Sequence, residues 1–302
     1  MELLTYKEIL QALDQFLQLC TSIGLRERVE EGRFAHYRRE IVALMEAIRT
    51  RSLSGQNEEQ RHKYLIALME GTEVSLLLPY LQQCEPAAVF PKLKACLDIK
   101  APIMPNDEDS DSNLAQNIQF ELFLASTLWQ SGFPLVFGEP DLKCQVDDRQ
   151  CFFACKRLFS PSLRQLRRRI GEAAEQIRKS RSTALLPGTR GIIAISLSRV
   201  FNPSQAVQSI LNEQQGRQEL ATWLMNKANE VRYDADGTDT WEPLSHKKIV
   251  GILFYVASIF EDFEADCYSP GRYFLGFPLT REGSPDDIAV RKLAEAMKAT
   301  QY

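Results

Sequence analysis

From residue 3 to about residue 97, apolar positions recur every three or four residues. Leu3, Leu4, Ile9, Leu10, Leu13, Phe16 and Leu17 form one stripe; Phe34, Tyr37, Ile41, Leu44, Met45 and Ile48 form another. That period predicts amphipathic helices at the N-terminus and over about 28–50. A third, marked by Tyr64, Leu65, Ala67 and Leu68, is expected to end at Gly71. The chain then restarts at Thr72-Glu73 into 74–81, and a short helix follows over 89–97. Helices joined by short loops such as Ser54-Gly55 predict an up-and-down helical domain over residues 1–100. Residues 101–113 are acidic and polar, lack periodicity, and read as a linker. Beyond them the pattern changes. Ile118, Leu122, Ala125 and Trp129 share a stripe over 114–130, and Gly132 closes that helix. Short strands are expected at 135–137, 141–146 and 151–158, with Asp147-Asp148 as a hairpin turn. Ser160-Pro161 opens a long helix to about Ser182, buried through Leu163, Leu166, Ile170, Ala173 and Ile177. The runs 191–197 and 248–260 are apolar on both faces and predict buried strands. Helices over 205–212 and 219–233, an edge strand at 272–277 and a terminal helix over 286–300 complete the reading. The fold class expected is α/β, with a mixed sheet flanked by helices over residues 114–302.

Composition narrows the classes. The chain has 302 residues, 44% hydrophobic and 25% charged, with a net charge of −4. Any nucleic-acid binding must therefore come from a local patch, not from the whole surface. No apolar run is long enough to span a bilayer, so no membrane partner is expected. The first residues lack a basic region before their apolar positions, so they do not read as a signal peptide. Seven scattered cysteines suggest reduced thiols and a cytoplasmic setting. Without paired CxxC units, and with three histidines, zinc is not expected. Arg26, Arg28, Arg33, Arg38 and Arg39 alternate with glutamates and read as a solvated helix face. The helical domain offers a surface for a protein partner or self-association.

Chemistry concentrates in residues 117–177. Glu121 lies in the helix before the sheet, Asp141 follows Pro140 at the second strand, and Lys156 follows the apolar run Cys151-Phe152-Phe153-Ala154-Cys155. Strand alternation puts Ala154 and Lys156 on one face, which Asp141 of the neighbouring strand can meet. This order of elements and residues resembles the PD-(D/E)XK nuclease superfamily. The resemblance implies a metal-dependent nuclease acting on DNA, in defence, restriction or repair, with magnesium or manganese as cofactor. It implies Asp141 as metal ligand, Glu121 as accessory ligand, the Cys155 carbonyl as a further ligand, and Lys156 at the nucleophile or the phosphate. Gln176 is similar to a glutamine that some of these families carry beside the site. One position departs from the pattern: the acid expected two residues before the lysine is Ala154.

Two readings of that departure stay open. In one, the acid has moved to the following helix, where Glu172 and Glu175 are the only acids and Glu172 is the replacement. In the other, the fold is catalytically silent and serves as a nucleic-acid-binding or interaction module. A local basic surplus serves both. Lys156, Arg157, Arg164, Arg167, Arg168, Arg169, Arg178, Lys179, Arg181 and Arg190 face only those two acids. Arg157, Arg164, Arg167, Arg168, Arg169 and Gln176 are the expected nucleic-acid contacts. The bland alternative for the arginines is a solvated helix face.

Overall fold

A computed structural model describes residues 5–52, 55–101, 113–184, 188–202, 208–262 and 267–299. Most of the linker expected at 101–113 lies outside them. The elements are α1 (Tyr6–Ser22), α2 (Arg26–Glu31), α3 (Arg33–Arg49), α4 (Glu58–Gln83), α5 (Pro86–Cys96), α6 (Leu114–Gln130), β1 (Leu135–Phe137), β2 (Leu142–Val146) and β3 (Arg149–Arg157). They continue as α7 (Leu163–Ala184), β4 (Arg190–Ser196), α8 (Ser198–Phe201), β5 (Gln208–Ile210), α9 (Glu213–Arg232), α10 (Glu242–His246), β6 (Ile249–Asp262), β7 (Cys267–Pro278) and α11 (Pro285–Ala299). The expected class holds: a helical N-terminal region and a seven-stranded mixed sheet flanked by helices. The strand order is β1-β2-β3-β4-β6-β5, and β7 pairs with β6.

The chain forms two compact units. The first comprises Met1–Ser126, Asn202–Gly216 and Ser258–Gly271; the second Thr127–Phe201, Arg217–Ala257 and Arg272–Tyr302. In the first unit, Thr5 and Glu8 close a reciprocal cap on α1, satisfying N–H groups that the helix cannot bond itself. Ile9, Leu13 and Phe16 of α1 and Phe34, Tyr37, Ile41 and Leu44 of α3 are buried, as their stripes require. The break expected at Gly71 is absent, because α4 runs unbroken from Glu58 to Gln83. Gly71 is a packing site instead. A Cβ there would come within 2.8 Å of Ile9 and 3.0 Å of Ile41. Helix α4 is long and apolar enough to cross a membrane, yet 78% of its most apolar window is buried inside the protein. The helix expected over 28–50 divides into α2 and α3 at Gly32.

The solvated arginine face needs correction at Arg33 alone: Arg26 and Arg39 are exposed, and Arg28 and Arg38 half-buried. Arg33 is buried, and its guanidinium fastens several helices at once. It donates to Glu70 of α4 at 3.4 Å, to the Cys96 carbonyl of α5 at 3.4 and 3.5 Å, and to Gln119 of α6 at 2.6 Å. Gln119 in turn donates to Glu73 at 2.7 Å. Burying these charges is tolerable only because each meets an opposite charge or a hydrogen-bond partner.

In the second unit, β1, β2 and β3 form an antiparallel meander, and β3, β4 and β6 are parallel. Strands β3 and β4 are buried along nearly their whole length, which fits their lack of apolar alternation. Helix α7 is the crossover between them. It buries Leu166, Ile170, Ala173, Ala174 and Ile177 and turns its charged residues outward. Gly191 lets the layers approach. A Cβ there would lie 2.6 Å from Ile249 and 2.7 Å from Ile177. The helix expected over 205–212 is not borne out where it is described: Gln208–Ile210 is a strand, β5, paired in parallel with Phe260 to Asp262 of β6. Residues 203–207 lie outside the described set.

Candidate functional site

The β2–β3 register places the chemistry. Leu142 pairs with Phe153, so the next residues outward, Asp141 and Ala154, stand opposite each other. Ala154 and Lys156 share a face of β3, while Cys155 and Arg157 take the other. One Asp141 carboxylate oxygen, Oδ2, accepts the backbone N–H of Cys155 at 2.7 Å. The other, Oδ1, accepts the side-chain amide of Gln176 at 3.2 Å. The same Gln176 amide nitrogen lies 3.3 Å from the Pro140 carbonyl. The Gln176 carbonyl oxygen accepts from Lys156 Nζ at 2.9 Å. Three separate elements thus meet at one amide, with the acid on one end and the lysine on the other. Asp141 is buried, while Lys156 and Gln176 are half-buried. The Glu139–Pro140 peptide bond that leads into the site is cis.

Asp141, Lys156 and Gln176 are therefore brought together, with Cys155 contributing its N–H. Glu121 belongs to the other unit, where it is paired with Lys92 of α5. Glu172 lies one turn before Gln176 on α7, is 42% exposed, and is held by Arg169 at 2.9 Å and Arg168 at 3.7 Å. Glu175 pairs with Lys247 and with Arg178, and these two cations hold its carboxyl down at about 2.

The arginines divide in the same way. Arg157 is 3% exposed on the face away from Lys156, so it offers no surface contact to a polymer. Arg167 caps the end of α9. It donates to the carbonyls of Val231, Glu230 and Tyr233 at 3.0, 3.1 and 2.9 Å, and pairs with Asp234. A helix C-terminus leaves carbonyls unsatisfied and carries partial negative charge, so a guanidinium there is stabilising. Arg190 is bound to Asp286. Arg164, Arg168, Arg178 and Lys179 remain exposed along α7.

Do these residues fit magnesium or manganese? Such cations take oxygen ligands, usually more than one carboxylate with waters. The cluster supplies one carboxylate, and both of its oxygens already accept protein hydrogen bonds. A methyl group stands opposite, and both acids of α7, Glu172 and Glu175, are tied to cations. Among the described residues, no three His, Cys, Asp or Glu side chains gather into a metal-binding group. As arranged, the site does not fit the cation.

Sequence reasoning missed the Arg33 network, although a signal existed. Arg33 continues the Tyr37–Ile41–Leu44 stripe, and Glu70 and Glu73 stand inside an otherwise apolar run. Comparison with known proteins adds no identity: no family model, no curated protein and no solved structure matches this chain.

Proposed function

We propose that this chain is a nucleic-acid-binding protein built on a nuclease-like core. Its α7 surface takes the phosphate backbone beside the Asp141–Gln176–Lys156 cluster. The observation that carries this reading is the outer face of α7. Seven cations of that helix outnumber its two acids, Glu172 and Glu175, and four of them, Arg164, Arg168, Arg178 and Lys179, are exposed along it. Lys156 extends the positive charge to the edge of the cluster. A backbone of repeating phosphates is the ligand such a row recognises, and the affinity is expected to be salt-dependent and insensitive to sequence. Duplex DNA is the proposed ligand, and the absence of an interleaved aromatic pattern gives no support to base stacking with single strands. Free cysteines, buried except for the half-buried Cys84 among those described, favour a cytoplasmic setting.

A second reading, magnesium- or manganese-dependent cleavage of DNA, is favoured by one observation. Asp141, Lys156 and Gln176 converge from three elements, and a lysine–amide–aspartate chain is an expensive way to finish an ordinary strand edge. Fluorescence anisotropy with labelled duplex, across a salt series, tests the first reading. About three phosphate contacts give a slope of log K against log salt near −3. The double variant Arg164→Glu, Arg168→Glu is expected to abolish binding while leaving the fold intact. Retained binding in that variant overturns the assignment of the surface. A plasmid-nicking assay with either metal separates the second reading: cleavage that Asp141→Ala and Lys156→Ala both remove establishes it.

A further inference from the structure

The exposed face of α7 is not evenly basic. Arg164, Arg168, Arg178 and Lys179 are exposed, and at 3.6 residues per turn they fall within about 100° of arc, on one side of the helix. They stand in two pairs, one toward each end. Residues 170–177, between the pairs, contain both acids of the helix and no cation. Along that side the helix is therefore basic, acidic and basic again. At about 1.5 Å per residue, Arg168 and Arg178 lie about 15 Å apart along the axis, and Arg164 and Lys179 about 22 Å apart. Neighbouring segments of the same unit broaden the second end. Arg181 donates to the Thr189 hydroxyl at 2.9 Å and to the Lys247 carbonyl at 3.1 Å, which fixes the last turns of α7 to the segments that open β4 and β6. Exposed Lys248 follows at once, held in the left-handed region with a φ of 58°. Among the described residues, neither the Arg164 nor the Lys248 side chain has an acidic partner, so each end keeps a cation that the middle acids do not engage.

We propose that α7 lies across the major groove of a B-form duplex and holds both backbones. Its first turns contact one strand through Arg164 and Arg168. Its last turns contact the other through Arg178 and Lys179, joined by Lys248. The assignment rests on the nucleic-acid reading and adds which phosphates are held, and by which end. A single backbone laid lengthwise along α7 carries a phosphate about every 3.4 Å of rise. It would lie over Glu172 and Glu175, where the helix offers it no cation. A groove presents phosphates only along its two sides, so the acids then face the gap. The major groove is about 12 Å wide, and cations that flank it must stand somewhat farther apart than that. A spacing of about 15–22 Å meets this requirement and is too long for the minor groove, about 6 Å wide.

Anisotropy gives the affinity for a short labelled A·T-rich duplex and for its labelled strand alone, at a salt concentration low enough for both probes to bind. Charge density alone favours the duplex, so the discriminating result is a selective loss. The double variant Lys179→Glu, Lys248→Glu changes only the second end. It is expected to weaken duplex binding about tenfold and to leave the single strand within about twofold, because one backbone needs only the first end. The milder Lys179→Ala, Lys248→Ala is expected to show the same selectivity at about threefold. Circular dichroism and melting confirm that both variants fold. Netropsin, which fills the minor groove, is expected not to displace the duplex from the wild type. An equal loss on duplex and strand, or no loss on either, overturns the groove crossing and leaves the nucleic-acid reading standing. Displacement by netropsin overturns the major-groove assignment in the same way. No binding of either probe by the wild type overturns both readings.

Discussion

Two polar clusters organise this chain, one in each unit, and they differ in what they leave open to a ligand. Around Arg33, the guanidinium, two glutamates and a glutamine are buried on α3, α4 and α6. Around Gln176, a buried aspartate is joined through one amide to a half-buried lysine. The first cluster spends its hydrogen bonds tying helices together. The second leaves its cation at the rim, beside a helix whose outer face is arginine-rich. Buried charge with every partner internal is a structural device, costly to break. Charge at an edge can exchange its partner for a ligand at little cost. The contrast assigns stability to the first cluster, while the proposed recognition rests on the second.

The largest expected effect breaks the buried cluster. Arg33→Met leaves Glu70 buried without its cation and is expected to cost about 3–5 kcal/mol in urea unfolding. A loss below about 1 kcal/mol contradicts a structural role. Asp141→Ala comes next. It strips the Cys155 N–H of its acceptor and is expected to cost about 1–3 kcal/mol by the same measurement. Lys156→Ala, a half-exposed lysine bonded to a neutral amide, is expected to cost about 1 kcal/mol or less. It should nevertheless weaken duplex binding and reduce the salt slope by about one. If it proves as destabilising as Arg33→Met, the distinction between the clusters fails.

The smallest effect is electrostatic and belongs to the outer face of α7. Lys247 and Arg178 hold the Glu175 carboxyl at about 2, below its ordinary 4.5. A carboxyl depressed by folding contributes stability that is present above about pH 4.5 and lost as pH falls through about 2. Glu175→Gln is therefore expected to flatten the acid limb of the stability profile in that window, lowering stability slightly at neutral pH and leaving it unchanged near pH 2. Thermal melting across pH 2 to 7 checks this.

Much of the architecture was legible in local pattern. The bounds of α6 and β1 follow from their apolar runs, and the central strands β3, β4 and β6 announce themselves as apolar on both faces. Local signals failed where packing decided. Gly71 is a helix breaker by propensity, yet α4 continues through it because Ile9 and Ile41 close on that position. Strand β5 is three residues long, and its conformation is set by pairing with β6, not by its own composition.

The sequence by itself determined the order of elements and the residue types of the site. Asp141 at the second strand, Lys156 at the end of the third and Gln176 on the next helix are fixed by position and periodicity. Tertiary structure decided what each charge faces. It turned Arg167 from the polymer surface to the end of α9, buried Arg157, sealed Arg33 against Glu70, and tied Glu172 to two arginines. The physical reason is range. Hydrophobic period is a property of neighbours along the chain, whereas the partner of a charge comes from wherever the fold brings the opposite charge.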